Sequence, residues 1–396
     1  MATTPDHPEL ANRSAKPRLK DFGFTFLVAG AVAGAMLVPS VFLHWGPIDL
    51  RNKWIFLGAI QMVMFAMGTQ MTIDDFFGVA RAPRGVGIGL LCHYTVMPLV
   101  GLALAKLFRF PPEVAAGIVL VGSCSSGLAS NVMAYIARSN LALSVTVTAL
   151  STLAAPLCTP LLMKWLAGTF VTVDLSNMAA EIVKMVLVPI GGALLHDALK
   201  GPRRAALDQE LVAAGLPQVS SERLNRRRSG AVRFAIGALI VALLAFVLGY
   251  HQTGGFLAEG VLGGLLYHAL WRLQPRWDVW MPRFAMAGII YATTVTVAAG
   301  RDNLLRIGFA LIVAEMLHNG AGYGLGYGLS RLFGLDRSSA RSVAFEVGMQ
   351  NGGMAAGLAS AMGKLSTVGL GAAVFIPIMN VSGSLLANYW KRRPVK

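Results

Sequence analysis

Polar residues punctuate this chain rather than filling it. Apolar runs of about twenty residues, the length that crosses a bilayer as a helix, alternate with short segments where Lys, Arg, Asp and Pro collect. About twelve runs are legible on that criterion: Phe22 to Trp45, Trp54 to Met71, Gly85 to Leu107, Pro112 to Ala137, Leu141 to Leu166, Met178 to Leu199, Ala231 to Tyr250, Gly254 to Leu273, Phe284 to Ala299, Leu304 to Leu329, Val343 to Met362 and Val368 to Trp390. Helices are predicted throughout, because a helix satisfies its own backbone in lipid. Gly254 to Leu273 and Phe284 to Ala299 are the shortest, and a hairpin that only dips into the membrane has the same pattern.

Composition agrees with that reading: 55% of the residues are hydrophobic, 13% are charged, and the mean hydropathy is +0.61. A soluble domain is excluded, and an all-α polytopic membrane protein in contact with the lipid bilayer is expected. Lys and Arg concentrate in cytoplasmic loops. Arg13, Lys16, Arg18 and Lys20 place the N-terminus inside, and counting spans puts Arg81 and Arg84, the basic stretch from Lys200 to Arg233, Arg272 to Arg283, Arg331 to Arg341 and the Lys391–Arg393 tail on the same side. Both termini are therefore expected in the cytoplasm, with the chain in a bacterial inner membrane. The net charge of +15 is explained by these loops facing anionic lipid, so no nucleic-acid partner is expected. The polar residues before the first span do not read as a cleaved signal. Cys92, Cys124 and Cys158 fall inside apolar spans without paired spacing, and read as packing residues rather than disulfide or zinc ligands.

Two spans depart from ordinary oily helices. One breaks at SCSSGLASN and resumes at Val132; the other, EVGMQNGGMAAGLAS, carries Glu346, Gln350 and Asn351 ahead of Gly352 and Gly353. Tight packing of small residues is one account of such breaks. The other is positional: secondary transporters built from inverted repeats place one discontinuous helix in each repeat, and the paired breaks form a site near the midplane. Each break falls in the fourth of five spans once one hairpin is set aside as an insertion. Glu346 favours the second account, because an intramembrane carboxylate is costly unless paired and tends to mark an ion pathway. No Lys or Arg shares its span. A bound cation such as Na+ would neutralise it, with oxygen ligands from hydroxyls, amides and unwound carbonyls. Ser130, Asn131, Ser144 and Thr148 form a second oxygen cluster, with Ser144 and Thr148 at i and i+4 on one helical face.

The strings GLASNVMAYIARSNLALSVTVTALSTLAAPLCTPLL, SVAFEVGMQNGGMAAGLA and NVSGSLLANYWKRRP resemble the bile acid:sodium symporter family, especially its bacterial members. That resemblance implies two inverted five-helix repeats, a panel and a core domain, crossed discontinuous helices, and sodium-coupled uptake of an organic anion. It assigns one sodium to Ser130, Asn131, Ser144, Thr148 and Glu346. It assigns a second to Glu346, Val347, Met349, Gln350 and a third-helix glutamine whose place is taken here by His93. A neutral imidazole could coordinate a cation and a protonated one would repel it, so a proton could replace that ion; a polar residue bonded between helices is the other reading of His93. For substrate, the resemblance points to Asn351 and Asn380. Where the family has Pro-Gly-Gly-Thr, this chain has Ser125, Ser126, Gly127 and Leu128, which leaves the backbone N–H groups of Gly127, Leu128 and Ala129 and of Gly352, Gly353 and Met354 to face a carboxylate.

The expected division is a cytoplasmic tail (1–21), a first repeat (22–168, broken near 124–131), the first helix of the second repeat (176–199), a basic linker (200–230) with a short amphipathic helix around Ala205 to Gly215, an inserted hydrophobic hairpin (231–273), the rest of the second repeat (282–390, broken near 346–353) and a basic tail (391–396). The hairpin reads as a lipid-facing accessory whose His251 and His268 need no ligand. Glu315 and His318 lie within a span and read as structural. No cofactor or ATP is expected beyond Na+ as coupling ion, since no phosphate-binding loop occurs. A membrane enzyme using Glu346 with His93 or His318, and a channel, sensor or uncoupled carrier, remain the alternatives to a sodium-coupled anion carrier. Substrate, ion stoichiometry, oligomeric state and the hairpin's role stay open at this level.

Overall fold

The structure is a computed structural model that describes residues 23–78, 82–200, 229–241 apart from 231 and 234, 251–393 and 395. The linker helix expected around Ala205 to Gly215 and much of the hairpin's first arm lie outside these residues, as does the side chain of His251.

The helices are α1 (Gly23–Leu37), α2 (Lys53–Gly68), α3 (Pro83–Leu107), α4 (Pro112–Ser123), α5 (Ala129–Ile136), α6 (Leu141–Ala167), α7 (Leu175–Leu199), α8 (His251–Leu273), α9 (Trp277–Ala299), α10 (Arg301–Leu332), α11 (Arg337–Gly348), α12 (Gly352–Ala361) and α13 (Gly369–Lys391). With α4 and α5 read as one broken helix, α11 and α12 as another, and α8 set aside as the insertion, the break falls in the fourth helix of each set of five. Among the described residues five helices, α3, α6, α7, α10 and α13, are long and apolar enough by themselves to cross a membrane. The protein is a multi-pass helical membrane protein.

Sequence chemistry sets the helix ends. Asn140 opens α6 by accepting the Leu143 N–H, and Asp336 opens α11 by accepting those of Ser338 and Ser339. The first expected span, Phe22 to Trp45, is interrupted: α1 ends at Leu37, Pro39 starts a short helix (Pro39–Leu43), and His44–Trp45 pairs with Ile48–Asp49 as a small antiparallel ribbon. A proline disfavours helical geometry in the residue before it, and Val38 sits at φ −130°, ψ 69°. At the other departure, Arg276, Asp278 and Arg283 read as loop residues before a span starting at Phe284, yet α9 begins at Trp277. Asp278 is drawn into structure by Lys200 Nζ at 2.8 Å and the Tyr267 hydroxyl at 2.8 Å.

Two layers result. Helices α1, α2, α7 and α9 pack together as a panel. Helices α3 to α6 and α10 to α13 form a core around the two breaks, in one continuous apolar cluster that includes Met97, Leu120, Val147, Phe345 and Phe375. The inserted α8 lies along α7, with Gly260 and Gly264 meeting the backbone at Val188 and Gly192, and leaves Leu262, Leu266 and Leu273 exposed. This spacing of small residues lets backbones approach closely. His268 has a partner too: its Nδ1 lies 3.3 Å from that of His196.

Candidate functional site

The two broken helices cross and hold each other at their unwound residues. Helix α4 ends where Cys124 turns extended (φ −73°, ψ 164°), and α11 ends at Met349 (φ −113°, ψ 110°). Ser126 and Gln350 then pair as an antiparallel bridge, with Gly127 N–H donating to Met349 O at 3.1 Å and Asn351 N–H to Ser125 O at 2.8 Å. Residue 127 must be glycine here, since a Cβ would stand 2.8 Å from the Gln350 carbonyl oxygen. Asn351 restarts the second helix by accepting the Met354 N–H at 3.0 Å. Irregular backbone at membrane depth requires partners within the protein, and the bridge supplies several.

Glu346, in the last turn of α11, is 0% exposed. Its Oε1 accepts from Ser130 Oγ at 2.6 Å and Ser144 Oγ at 2.5 Å, and its Oε2 from Thr148 Oγ1 at 2.7 Å. Among the described residues these hydroxyls, and no cationic side chain, are its carboxylate's partners. Ser130 also lies 2.8 Å from Gly127 O, Ser144 2.9 Å from Asn131 Oδ1 and Thr148 3.2 Å from the same amide oxygen. Each hydroxyl therefore has one proton and faces two acceptors. A surplus of converging oxygens around an unneutralised carboxylate is a donor set suited to a hard cation, so the residues expected to hold the first sodium fit one.

The residues expected around a second sodium are also brought to the crossing, but chain donors serve their carbonyls. Glu346 O faces His93 Nδ1 at 2.9 Å, Val347 O accepts from Gln350 Nε2 at 2.7 Å, and Met349 O accepts from Gly127 N–H and from Ser126 Oγ at 3.3 Å. The intervening Gly348 O takes Asn319 Nδ2 at 2.8 Å. The other nitrogen of His93, Nε2, lies 2.8 Å from Cys124 O, so one imidazole braces the ends of both broken helices. Gln350 Oε1 is buried without a donor among the described residues. This set fits a cation less well than the first: its carbonyls face N–H, O–H or imidazole groups, Gln350 Oε1 alone is left without a donor among the described residues, and an imidazole stands where a further oxygen would be needed.

Beside the crossing lies a cavity of about 400 Å³. Gly127, Leu128, Ala129, Asn351, Gly352, Gly353 and Asn380, all expected to meet substrate, line it, whereas the Met354 N–H expected beside them is taken by the Asn351 side chain and Met354 is not part of the lining. Its opposite wall was missed by sequence reasoning: Met64 and Met67 of α2, Gln70 in the turn just after it, and Met286 and Ile289 of α9 belong to the panel. Only Gln70, polar at the edge of an oily run, carried any signal. Asn380 donates to Ile376 O at 2.8 Å within its own helix, which leaves its amide oxygen for the cavity.

Comparison with known proteins follows the same lines. Residues 57–200 match the family model described as the sodium bile acid symporter family. An uncharacterized sodium-dependent transporter of Bacillus subtilis, YocS, is 34% identical over 86% of this chain and 84% of its own. The chain belongs to the sodium bile acid symporter family. The human ileal sodium/bile acid cotransporter, another relative, is 28% identical over 74% of this chain and 65% of its own length. Among solved structures, the sodium proton antiporter MjNhaP1 of Methanocaldococcus jannaschii shares the fold, with a TM-score of 0.52 at 12% identity over 93% of this chain and 92% of that one. Membership makes this protein a transporter of a family whose relatives are sodium-dependent, and it places the polar crossing inside a transport fold.

Proposed function

We propose that the protein is a secondary active symporter that couples sodium to the uptake of an organic anion by alternating access, in a bacterial inner membrane with both termini cytoplasmic. The observation that carries this reading is the Glu346 carboxylate, buried among three hydroxyls without a cationic side chain and next to the cavity. Sodium is a substrate at this position, held by Glu346, Ser130, Asn131, Ser144 and Thr148. We assign one sodium per cycle, since the His93 imidazole stands against the Glu346 carbonyl and Gln350 Nε2 already donates to that of Val347.

The cavity supports an amphipathic anion. Its panel wall is methionine and isoleucine, while its crossing wall offers Asn351, Asn380 and the N-terminal ends of α5 and α12. The helix dipole at such ends, with the N–H groups beyond those that Met349 O, Gln350 O and the Asn351 side chain already take, favours a carboxylate or similar group. About 400 Å³ accommodates a small organic molecule. The lining residues Gln70 and Pro282 lie at the ends of α2 and α9 nearest the arginine-rich segments, so by the positive-inside rule the cavity faces the cytoplasm. On the opposite side, Thr172, Asp174 and Glu181 of the α7 entry and Lys364 beyond α12 line a separate space of about 250 Å³. This is an inward-facing arrangement, and movement of the core against the panel would join the crossing to the outer space instead.

The deciding experiment is the thermal stability of purified protein in sodium against potassium or choline, in the parent and in Glu346→Ala. A ligand that binds only the folded state raises stability by mass action. A sodium-specific rise with a single-site dose dependence, lost in Glu346→Ala, is expected. An equal response to all three cations would sink the proposal.

A further inference from the structure

A second carboxylate is buried in the core, away from the crossing. Glu315 and His318 lie one turn apart on α10, both 0% exposed. His318 Nε2 is 2.9 Å from Met97 O on α3, and its Nδ1 is 3.1 Å from Glu315 Oε2. A carbonyl oxygen only accepts, so Nε2 carries a hydrogen. Nδ1 then either presents its lone pair to the carboxyl, which must supply a proton, or carries a second hydrogen itself. Either way the contact contains one proton more than a neutral imidazole beside a carboxylate. Glu315 Oε1 settles where it resides: it is buried and no donor among the described residues reaches it. An ionised carboxylate would leave that oxygen charged and unsolvated, so the neutral acid is the species that fits.

We propose that Glu315 and His318 form a proton-binding site of the core, in which the Glu315 carboxyl stays protonated and donates to His318 Nδ1 while His318 Nε2 donates to Met97, tying α10 to α3. This site is separate from the sodium ligands and stands whether or not sodium is the coupling ion. Other titratable groups on the packed elements are engaged elsewhere. On α3, His93 is held by the carbonyls of Cys124 and Glu346; on α11, Glu346 faces hydroxyls and Arg341 bonds the carbonyl of Arg393. Cys124 follows α4, and α13 carries only Tyr389 and Lys391, at its far end. On α9, Asp278 binds Lys200, Tyr291 donates to Leu50 O, and Arg283 lies over the Trp280 ring; on α10 itself Tyr323 donates to Met379 O, and Arg306 stands near the opposite end. The ring of His318 meets Phe375 of α13 edge-on, and its Nε2 sits close against Gly122 of α4, so the pair is walled by carbon and backbone.

The sign of the pH effect follows from proton counting. Unfolded, the two residues share one proton between about pH 4.3 and 6.5 and none above. The folded pair holds one throughout, so stability is level in the first window. Above about pH 6.5 the folding equilibrium falls by up to tenfold per pH unit, until the folded pair releases its proton. Glu315→Gln replaces the acid by an amide N–H that needs no proton, and Glu315→Met removes the acid while leaving His318 neutral. The test compares melting temperature against pH, in saturating sodium, for the parent and both variants. His93, whose two nitrogens both face carbonyls, contributes alike to parent and variants, so the readout is the difference between them: a shallower alkaline decline in either variant than in the parent is the expected result, and the parental decline in both would overturn the proposal. If neither variant folds, the infrared spectrum of the parent decides: a protonated-carboxyl band that persists at neutral pH in saturating sodium and vanishes at alkaline pH supports the site, and its absence at neutral pH refutes it.

Discussion

Glu346 and Glu315 pose the same physical problem, a carboxylate at 0% exposure inside a membrane protein, and their surroundings answer it in different ways. Around Glu346, hydroxyls from α5 and α6 converge on both oxygens, and each has a second acceptor to serve. Around Glu315 there is a single imidazole, and one oxygen is left bare. Many oxygens and few protons suit a metal cation, whereas one nitrogen and no further donor suit a proton. The difference teaches that the charge of a buried side chain says little until the donor and acceptor balance of its neighbours is counted.

The comparison breaks most visibly at Glu346. Sodium at about a hundredfold over its dissociation constant contributes about 2.7 kcal/mol of stability to a one-site protein, and we expect Glu346→Ala to abolish that response together with uptake into proteoliposomes under an inward sodium gradient. Next comes the scaffold beneath it. Gly127→Val drives a side chain into the Gln350 carbonyl, so melting temperature should fall by an amount equivalent to about 1–3 kcal/mol, with transport lost in parallel. Removing one hydroxyl by Thr148→Val or Ser144→Ala should raise the half-saturating sodium concentration about tenfold, equivalent to about 1.4 kcal/mol; a sodium titration of thermal stability reads it. The smallest effect lies where the insertion meets α9, at Asp278. Lys200 and Asp278 are a partly exposed pair, so Asp278→Ala should cost about 1 kcal/mol or less and leave the sodium response unchanged. A shifted sodium affinity in that variant would mean that α8 reports to the crossing.

These regions also differ in how plainly they stand in the sequence. The spans were legible because a bilayer demands long apolar helices, and the breaks because glycine, serine and asparagine cluster there. Ser144 and Thr148 could be paired from helical spacing alone. Their convergence with Ser130 on Glu346 joins residues far apart in the chain, which only the family resemblance supplied. His93 was left between two readings for the same reason: its partners, Cys124 O and Glu346 O, are backbone atoms of other helices with no residue signature. The start of α9 was misplaced because Asp278 looks like a loop residue until Lys200 and Tyr267 are seen beside it. The panel wall of the cavity was invisible, because a methionine facing a cavity and a methionine facing lipid are the same letter.

The backbone bridge between Ser126 and Gln350 has one more consequence. It joins in a few peptide units the side that faces Glu346's hydroxyls and the side that lines the cavity, so neither can be reshaped alone. Any free energy by which sodium draws α5 towards α11 must reappear as a change in affinity for whatever fills the cavity, and by the same factor in the opposite direction. On the proposed function the bridge would make ion and solute each other's cofactor: a solute that tightens sodium binding would identify itself as the cargo, and one that fills the cavity without doing so would be only an occupant.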